Sequence, residues 1–150
     1  MTGMIRPNTL ALCLILFMTG WMTGCQTPAS HQNDGFYDQL GQRSGIADIV
    51  EDLLFLIVDD ARINQSFKGV DVQQFHRHLT DQLCELSGGP CEYTGRSMRE
   101  LHADMAITDT QFNALTENLI LAMEKNKVPV GAQNRLLEKL VPLYPDIRNL

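Results

Sequence analysis

Residues 45–59 set Ile46, Ile49, Val50, Leu53, Leu54, Ile57 and Val58 at i, i+3, i+4 and i+7 spacing, the signature of an α-helix with one apolar face. The same period returns three times. "KGVD" interrupts it, and Asp71 with Gln74 then gives an N-cap signal for a helix reaching about residue 86. Thr108 with Gln111 opens another, with Phe112, Leu115, Leu119, Ile120 and Met123 on its apolar side. Pro129 suits the first turn of a last helix that ends near Leu140, where "VPLYPDI" stops it. No segment alternates at period two for long enough to make a strand. The pattern predicts an all-α domain of four main helices and shorter pieces, packed on one another.

The N-terminal end is different in kind. Arg6 supplies a positive charge, and residues 10–18 contain no charged or strongly polar group. That run is too short to cross a bilayer and suits the core of a signal peptide. "MTGC", ending at Cys25, resembles a bacterial lipobox, which implies lipidation of Cys25; the alternative is an ordinary secretory signal cut nearby. Residues 1–24 thus read as a signal peptide, 25–35 as a flexible polar tether, and 36–150 as the folded domain. The implied place is a bacterial membrane, with the domain facing the periplasm or exterior. Gln26, rather than Asp, follows the cysteine, which by the same resemblance favours the outer membrane. Removing 24 of the 150 residues leaves enough chain for one core. With 18 acidic and 12 basic residues, a net charge of -6 and no basic patch, the composition argues against nucleic acid as a partner.

Of the four cysteines, Cys13 leaves with the leader and Cys25 would carry lipid. Cys84 and Cys91 flank "ELSGGP", whose Gly-Gly-Pro turn can bring them together in an oxidising compartment. A metal pair is the alternative, although the spacing matches no zinc motif.

Two histidines stand near apolar stripes. Ser97 with Glu100 has the form of a capping box, and Met98, Leu101 and Met105 recur on one face of the short helix that follows. His102 falls inside that stripe. It is either a core imidazole satisfied by a backbone carbonyl or a ligand. On the 71–86 helix, Phe75, Leu79, Leu83 and Leu86 span about 80° at 100° per residue. His78 lies about 60° beyond one edge of that stripe, and His76 lies beyond the other, where it should meet solvent. A four-ligand zinc site would need two more donors on these faces. A planar iron cofactor asks the protein for only one or two axial ligands. Met and Leu faces around a single histidine suit haem, and equally suit an ordinary core.

In order and spacing, "FYDQLG", "FKGVD", "LSGGPCEYTGRSMRELHADMAIT", "FNALTENL" and "VPVGAQNRLL" resemble the group I truncated haemoglobins over residues 36–147. The "GGP…YTGR…M…H" run is the specific part. The resemblance implies a two-over-two helical sandwich around haem b, with His102 as proximal ligand. Phe67 would pack on the haem face. Phe75, Leu79 and Leu83 would line the distal side, and Met98, Leu101, Met105 and Phe112 the proximal side. Arg99 matches a position that can reach a propionate, or it forms a plain surface salt bridge. Tyr93 would be pocket edge or a structural hydrogen bond.

The departures from the family pattern bear on function. Many members carry a tyrosine and a glutamine where this chain has Leu54 and Leu79, and both donate to bound dioxygen. Their loss should weaken O₂ retention, while CO and NO depend less on such donors. Gln82 stands one turn further on as a partial substitute. The family's Gly-Gly becomes Gly41-Gln42, which affects loop detail. His78 matches a position where some cyanobacterial members ligate the iron, and a modest rotation would bring it in; otherwise it is solvated or meets a propionate. The implied function is reversible binding of diatomic gases (O₂, NO, CO) outside the cytoplasm, without catalysis. The alternatives are a bis-histidyl electron-transfer protein, or an NO-detoxifying dioxygenase supplied by an external electron donor, and a haem-free helical module.

Overall fold

The computed structural model describes residues 35–148. The expected leader, Cys25 and nearly all of the tether lie outside the described residues. Six α-helices follow in order: α1 (Phe36–Gln39), α2 (Gln42–Asp59), α3 (Val72–Leu86), α4 (Met98–His102), α5 (Asp109–Lys125) and α6 (Val130–Leu140). Short 3₁₀ turns occupy Asn64–Phe67 and Val141–Asp146. Among the described residues there is no strand, only an isolated bridge between Ile107 and Arg148.

Helix α2 is the hub. Its predicted stripe buries Ile46, Ile49, Val50, Leu53 and Ile57, each contributing about 1.5–3 kcal/mol relative to an exposed side chain. The buried face is narrower than the sequence suggests, because Val58 is 70% exposed and Leu54 half-buried. α2 packs against α3 on one side and α5 on the other. Leu83 and Cys84 of α3 and Ala114, Leu119 and Met123 of α5 join it in one core.

The predicted helix starts are found with their caps. Asp71 Oδ1 accepts from the Gln74 N–H at 2.9 Å, and Thr108 with Gln111 forms a full capping box. Pro129 is the residue just before α6. The "VPLYPDI" segment continues beyond α6 as a 3₁₀ turn. It folds back so that Tyr144 meets the Phe112 ring edge-on at 4.7 Å and donates its hydroxyl to Asp109 at 2.7 Å.

Two carboxylates of the α2 region clamp α5. Asp52 takes the Lys125 ammonium at 2.6 Å and the Asn126 amide at 2.8 Å. Asp60 accepts from the Arg62 guanidinium and, at 3.0 Å, from Asn118 of α5. These donors hold both carboxyls below their ordinary 3.8, Lys125 chiefly for Asp52 and Arg62 chiefly for Asp60. A lowered folded pKa stabilises the native state fully above the ordinary value, and that share is lost as pH falls through the folded one.

The α1–α2 corner turns on two consecutive left-handed residues, Gly41 at φ 79° and Gln42 at φ 58°. Glycine is needed at the corner for a second reason: a Cβ on Gly45 would stand 2.5 Å from the Leu40 carbonyl oxygen. Gln42 carries a side chain where the left-handed region costs an L-residue about 1–2 kcal/mol. Its amide donates to Asp38 at 3.0 Å and offsets part of that. Gln42→Gly should therefore raise stability by about 0.5–1 kcal/mol, read as a higher urea midpoint at unchanged slope. Asp52→Asn should flatten the acid limb of the stability curve as pH falls below the ordinary 3.8, measured by thermal unfolding on that side.

Candidate functional site

Helix α3 is apolar on more of its circumference than the core covers. Thr80, Leu83 and Cys84 face inward and are buried. Phe75, Leu79 and Leu86, centred roughly 100° round the helix from them, are only half-buried. The predicted stripe thus divides. Leu83, expected on the distal wall, is 1% exposed and belongs to the core, because α2 claims that side of α3. Phe75, Leu79 and Leu86 remain as an apolar face without a full complement of neighbours.

His76 is also corrected by this rotation. The sequence places it in solvent, but its Nε2 lies 3.0 Å from the Ala47 carbonyl oxygen of α2. The inward sector of α3 lies further round than the apolar residues alone indicate, and His76 falls within it.

Helix α4 is one turn long and buries none of its residues. A capping box holds its start: the Glu100 N–H donates to Ser97 Oγ at 3.3 Å, and the Ser97 N–H donates to Glu100 Oε2 at 3.0 Å. The Ser97 hydroxyl, at 2.7 Å, is the main reason that the Glu100 carboxyl sits below its usual range. The helix ends at His102, and Asp104 and Ala106 have left-handed backbones. Met105, expected on the proximal wall, therefore falls outside the helix and is 43% exposed. Met98, Leu101 and His102 are half-buried.

His102 Nδ1 lies 2.8 Å from the Met98 carbonyl oxygen. A carbonyl can only accept, so the neutral ring carries its proton on Nδ1 and its lone pair on Nε2. A satisfied core histidine and an oriented ligand begin from this same bond. The half-buried setting separates them, since His102 lies outside the buried core.

The two half-buried faces meet at Gln82 of α3, whose amide donates to Met98 Sδ at 3.6 Å. Phe67 joins them through an edge-on contact with Phe75 at 5.5 Å. Leu54 lines a groove with Phe67, Val58, Val70 and Val72 between α2, the Asn64–Phe67 turn and the start of α3. Phe112, half-buried, stands on the first turn of α5.

Between α3 and α4 lies a loop tied at several points. Cys84 and Cys91 are joined in a disulfide with a Cα–Cα distance of 5.7 Å. The Tyr93 N–H donates to Glu85 Oε2 at 3.2 Å, and its hydroxyl donates to the Arg96 carbonyl at 2.7 Å. Burial pushes that hydroxyl pKa up. The Tyr93 ring meets His78 edge-on at 6.0 Å. Arg99 is paired with Asp146, the salt-bridge arrangement that the sequence offered as one of its two roles. Asp146 lies 47 residues away, so only the folding back of the last 3₁₀ turn reveals the pair. The Tyr93–His78 and Gln82–Met98 contacts carry no sequence motif either.

Among the described residues no group of three or more His, Cys, Asp or Glu could hold a metal ion by itself. His102 offers one neutral nitrogen beside apolar surface, a donor set that fits a metal arriving with its own equatorial ligands. Haem meets that description.

Comparison with known proteins agrees. Residues 35–149 match the model of a family described as bacterial-like globin. The group 1 truncated hemoglobin GlbN of Nostoc commune is 30% identical over 113 residues, covering 75% of this chain and 96% of that one. The corresponding protein of Mycolicibacterium paratuberculosis is 25% identical over 74% of this chain and 82% of its own length. The crystal structure of truncated hemoglobin from Tetrahymena pyriformis superposes with a TM-score of 0.74 at 26% identity, covering 77% of this chain and 98% of that one. A 2/2 hemoglobin from a Synechococcus species, with covalently attached heme, gives 0.61 at 29% identity, covering 71% and 87%. The chain belongs to the bacterial-like globin family, its homologues include the group 1 truncated hemoglobins, and its fold is the helical truncated-globin fold.

The capping box should matter more here than in a longer helix, since α4 has no core to hold it. Ser97→Ala should cost about 1 kcal/mol locally, seen as haem released several-fold faster to an apomyoglobin acceptor. In the parent, the Glu100 half of the box is present above its ordinary 4.5 and weakens as pH falls through the lowered value, so release should accelerate on that acid side.

Proposed function

We propose that this chain is a haem b protein that reversibly binds diatomic gases, held to a bacterial membrane through lipidated Cys25 with its globin domain outside the cytoplasm. The observation that carries the reading is the bond from His102 Nδ1 to the Met98 carbonyl, 2.8 Å long. It aims an unprotonated Nε2 away from α4, as an axial ligand requires. His102 would hold the haem, and bound haem would supply the iron that takes up the gas.

The chain's own residues set the selectivity. Phe75 and Leu79 offer apolar contact on one side, Met98, Leu101 and Phe112 on the other. Such surfaces exclude water and provide no hydrogen-bond donor. The Gln82 amide, the nearest polar candidate, is engaged by Met98. An oxygen ligand that gains from a donor is held less long than carbon monoxide, which needs none. The Cys84–Cys91 disulfide supports the extracytoplasmic placement, because such bonds persist in oxidising compartments. His78 packs on Tyr93, which favours gas binding over bis-histidyl electron transfer.

Purified protein should show a haem spectrum that changes with CO, and His102→Ala should lose it or lose its axial field. An unchanged spectrum in that variant would sink the reading. Installing donors as Leu54→Tyr with Leu79→Gln should slow O₂ dissociation by about tenfold per productive hydrogen bond, with CO dissociation nearly unmoved, both followed by ligand-replacement stopped flow.

A further inference from the structure

Tyr93 is held on more sides than a loop residue needs for its own sake. Two residues before it, Cys91 is bonded to Cys84 at the end of α3. Its N–H donates to Glu85, and its hydroxyl donates to the Arg96 carbonyl. Its ring lies so close to Gly95 that a Cβ there would stand 2.5 Å from Cζ. Every tie fixes the same ring, and the group presented to it is His78, 6.0 Å between centroids with planes at 75°.

The direction of that contact matters. On α3, His78 and Glu85 are seven residues apart and so lie within about 20° of one another, roughly 60–80° from Phe75 on the side away from the core. Tyr93 touches both. It therefore engages His78 on the loop side of α3, off the apolar face formed by Phe75 and Leu79. An imidazole released from this ring needs only a side-chain rotation to swing toward that face.

We propose that Tyr93 is a positioning residue that holds His78 on the loop side of α3 and thereby keeps the axial site opposite His102 open to gas. The inference rests on the haem reading above and adds a residue that selects between gas binding and closure by a second histidine.

The test uses the full-length protein with haem bound, compared across five forms. The parent should be five-coordinate when reduced. Tyr93→Ala should raise the histidine-ligated, low-spin fraction about tenfold, the upper range for loss of an edge-to-face pair, and slow CO association accordingly. Adding His78→Ala to that variant should restore the parent spectrum. Tyr93→Phe, which keeps the ring, should resemble the parent. Gly95→Ala, whose new Cβ must push the Tyr93 ring aside, provides the same test if Tyr93→Ala does not fold, and should shift the spectrum the same way. In haem-free protein, the His78 ring protons should show a ring-current shift that Tyr93→Ala abolishes. A reduced parent already ligated by His78, or no spectral change in either the Tyr93→Ala or Gly95→Ala protein, overturns the proposal. A parent without haem fails the haem reading first, and is told apart because the ring-current shift would still be present.

Discussion

Helix α3 carries apolar side chains over a wider arc than its protein neighbours can cover, and the arrangement around it follows from that excess. α2 claims the sector of Thr80, Leu83 and Cys84. What remains, Phe75 and Leu79 above all, is only half-buried, with Leu79 packed at the edge of the core. Apolar area left half-buried in this way is surface that a further apolar group can cover. The short helix α4 has the matching deficiency, with Met98 and Leu101 half-buried and no core beneath them. Two half-buried faces, bridged at Gln82 and Met98, offer the apolar surface that the proposed flat guest would cover.

Within that site, the two histidines are managed in opposite ways. His102 is oriented by a backbone carbonyl one turn earlier, which sets its tautomer without any second side chain. His78 is held by a ring contributed from a loop. The first depends only on α4 being helical, hence the importance of Ser97 and Glu100. The second depends on the path of residues 87–97, and so on contacts made across the molecule.

Local physics is legible in the sequence. Asp71, Ser97 and Thr108 cap where their side chains and the residues three further on predict, because capping is decided within four residues. The helical periods were equally clear, and so was His102 as the odd occupant of an apolar stripe. Rotation of α3 was not. A helical wheel ranks faces by apolarity, and here the most apolar face is not the most buried one, so His76 lies nearer the core than the wheel suggests and, of the apolar stripe, only Leu83 is fully buried. Met105 was lost to backbone geometry, since the left-handed turn at Asp104 follows the histidine directly. The partners of Arg99 and Tyr93 belong to distant segments or to loop packing, and no local pattern encodes them. The resemblance to truncated haemoglobins named the family through the "GGP…YTGR…M…H" run, which spans the loop and α4 together.

The Cys84–Cys91 bond has a further meaning for how such a loop can exist. Residues 87–97 contain no helix or strand and have little core of their own, so their shape would ordinarily cost much conformational entropy. A covalent ring closed at the end of α3 restricts the unfolded chain before folding begins, worth about 2–3 kcal/mol for a loop this small on the chain-entropy view. A stretch without regular structure is thereby pinned to the end of α3, and sulfur fixes the path of the chain where it leaves that helix.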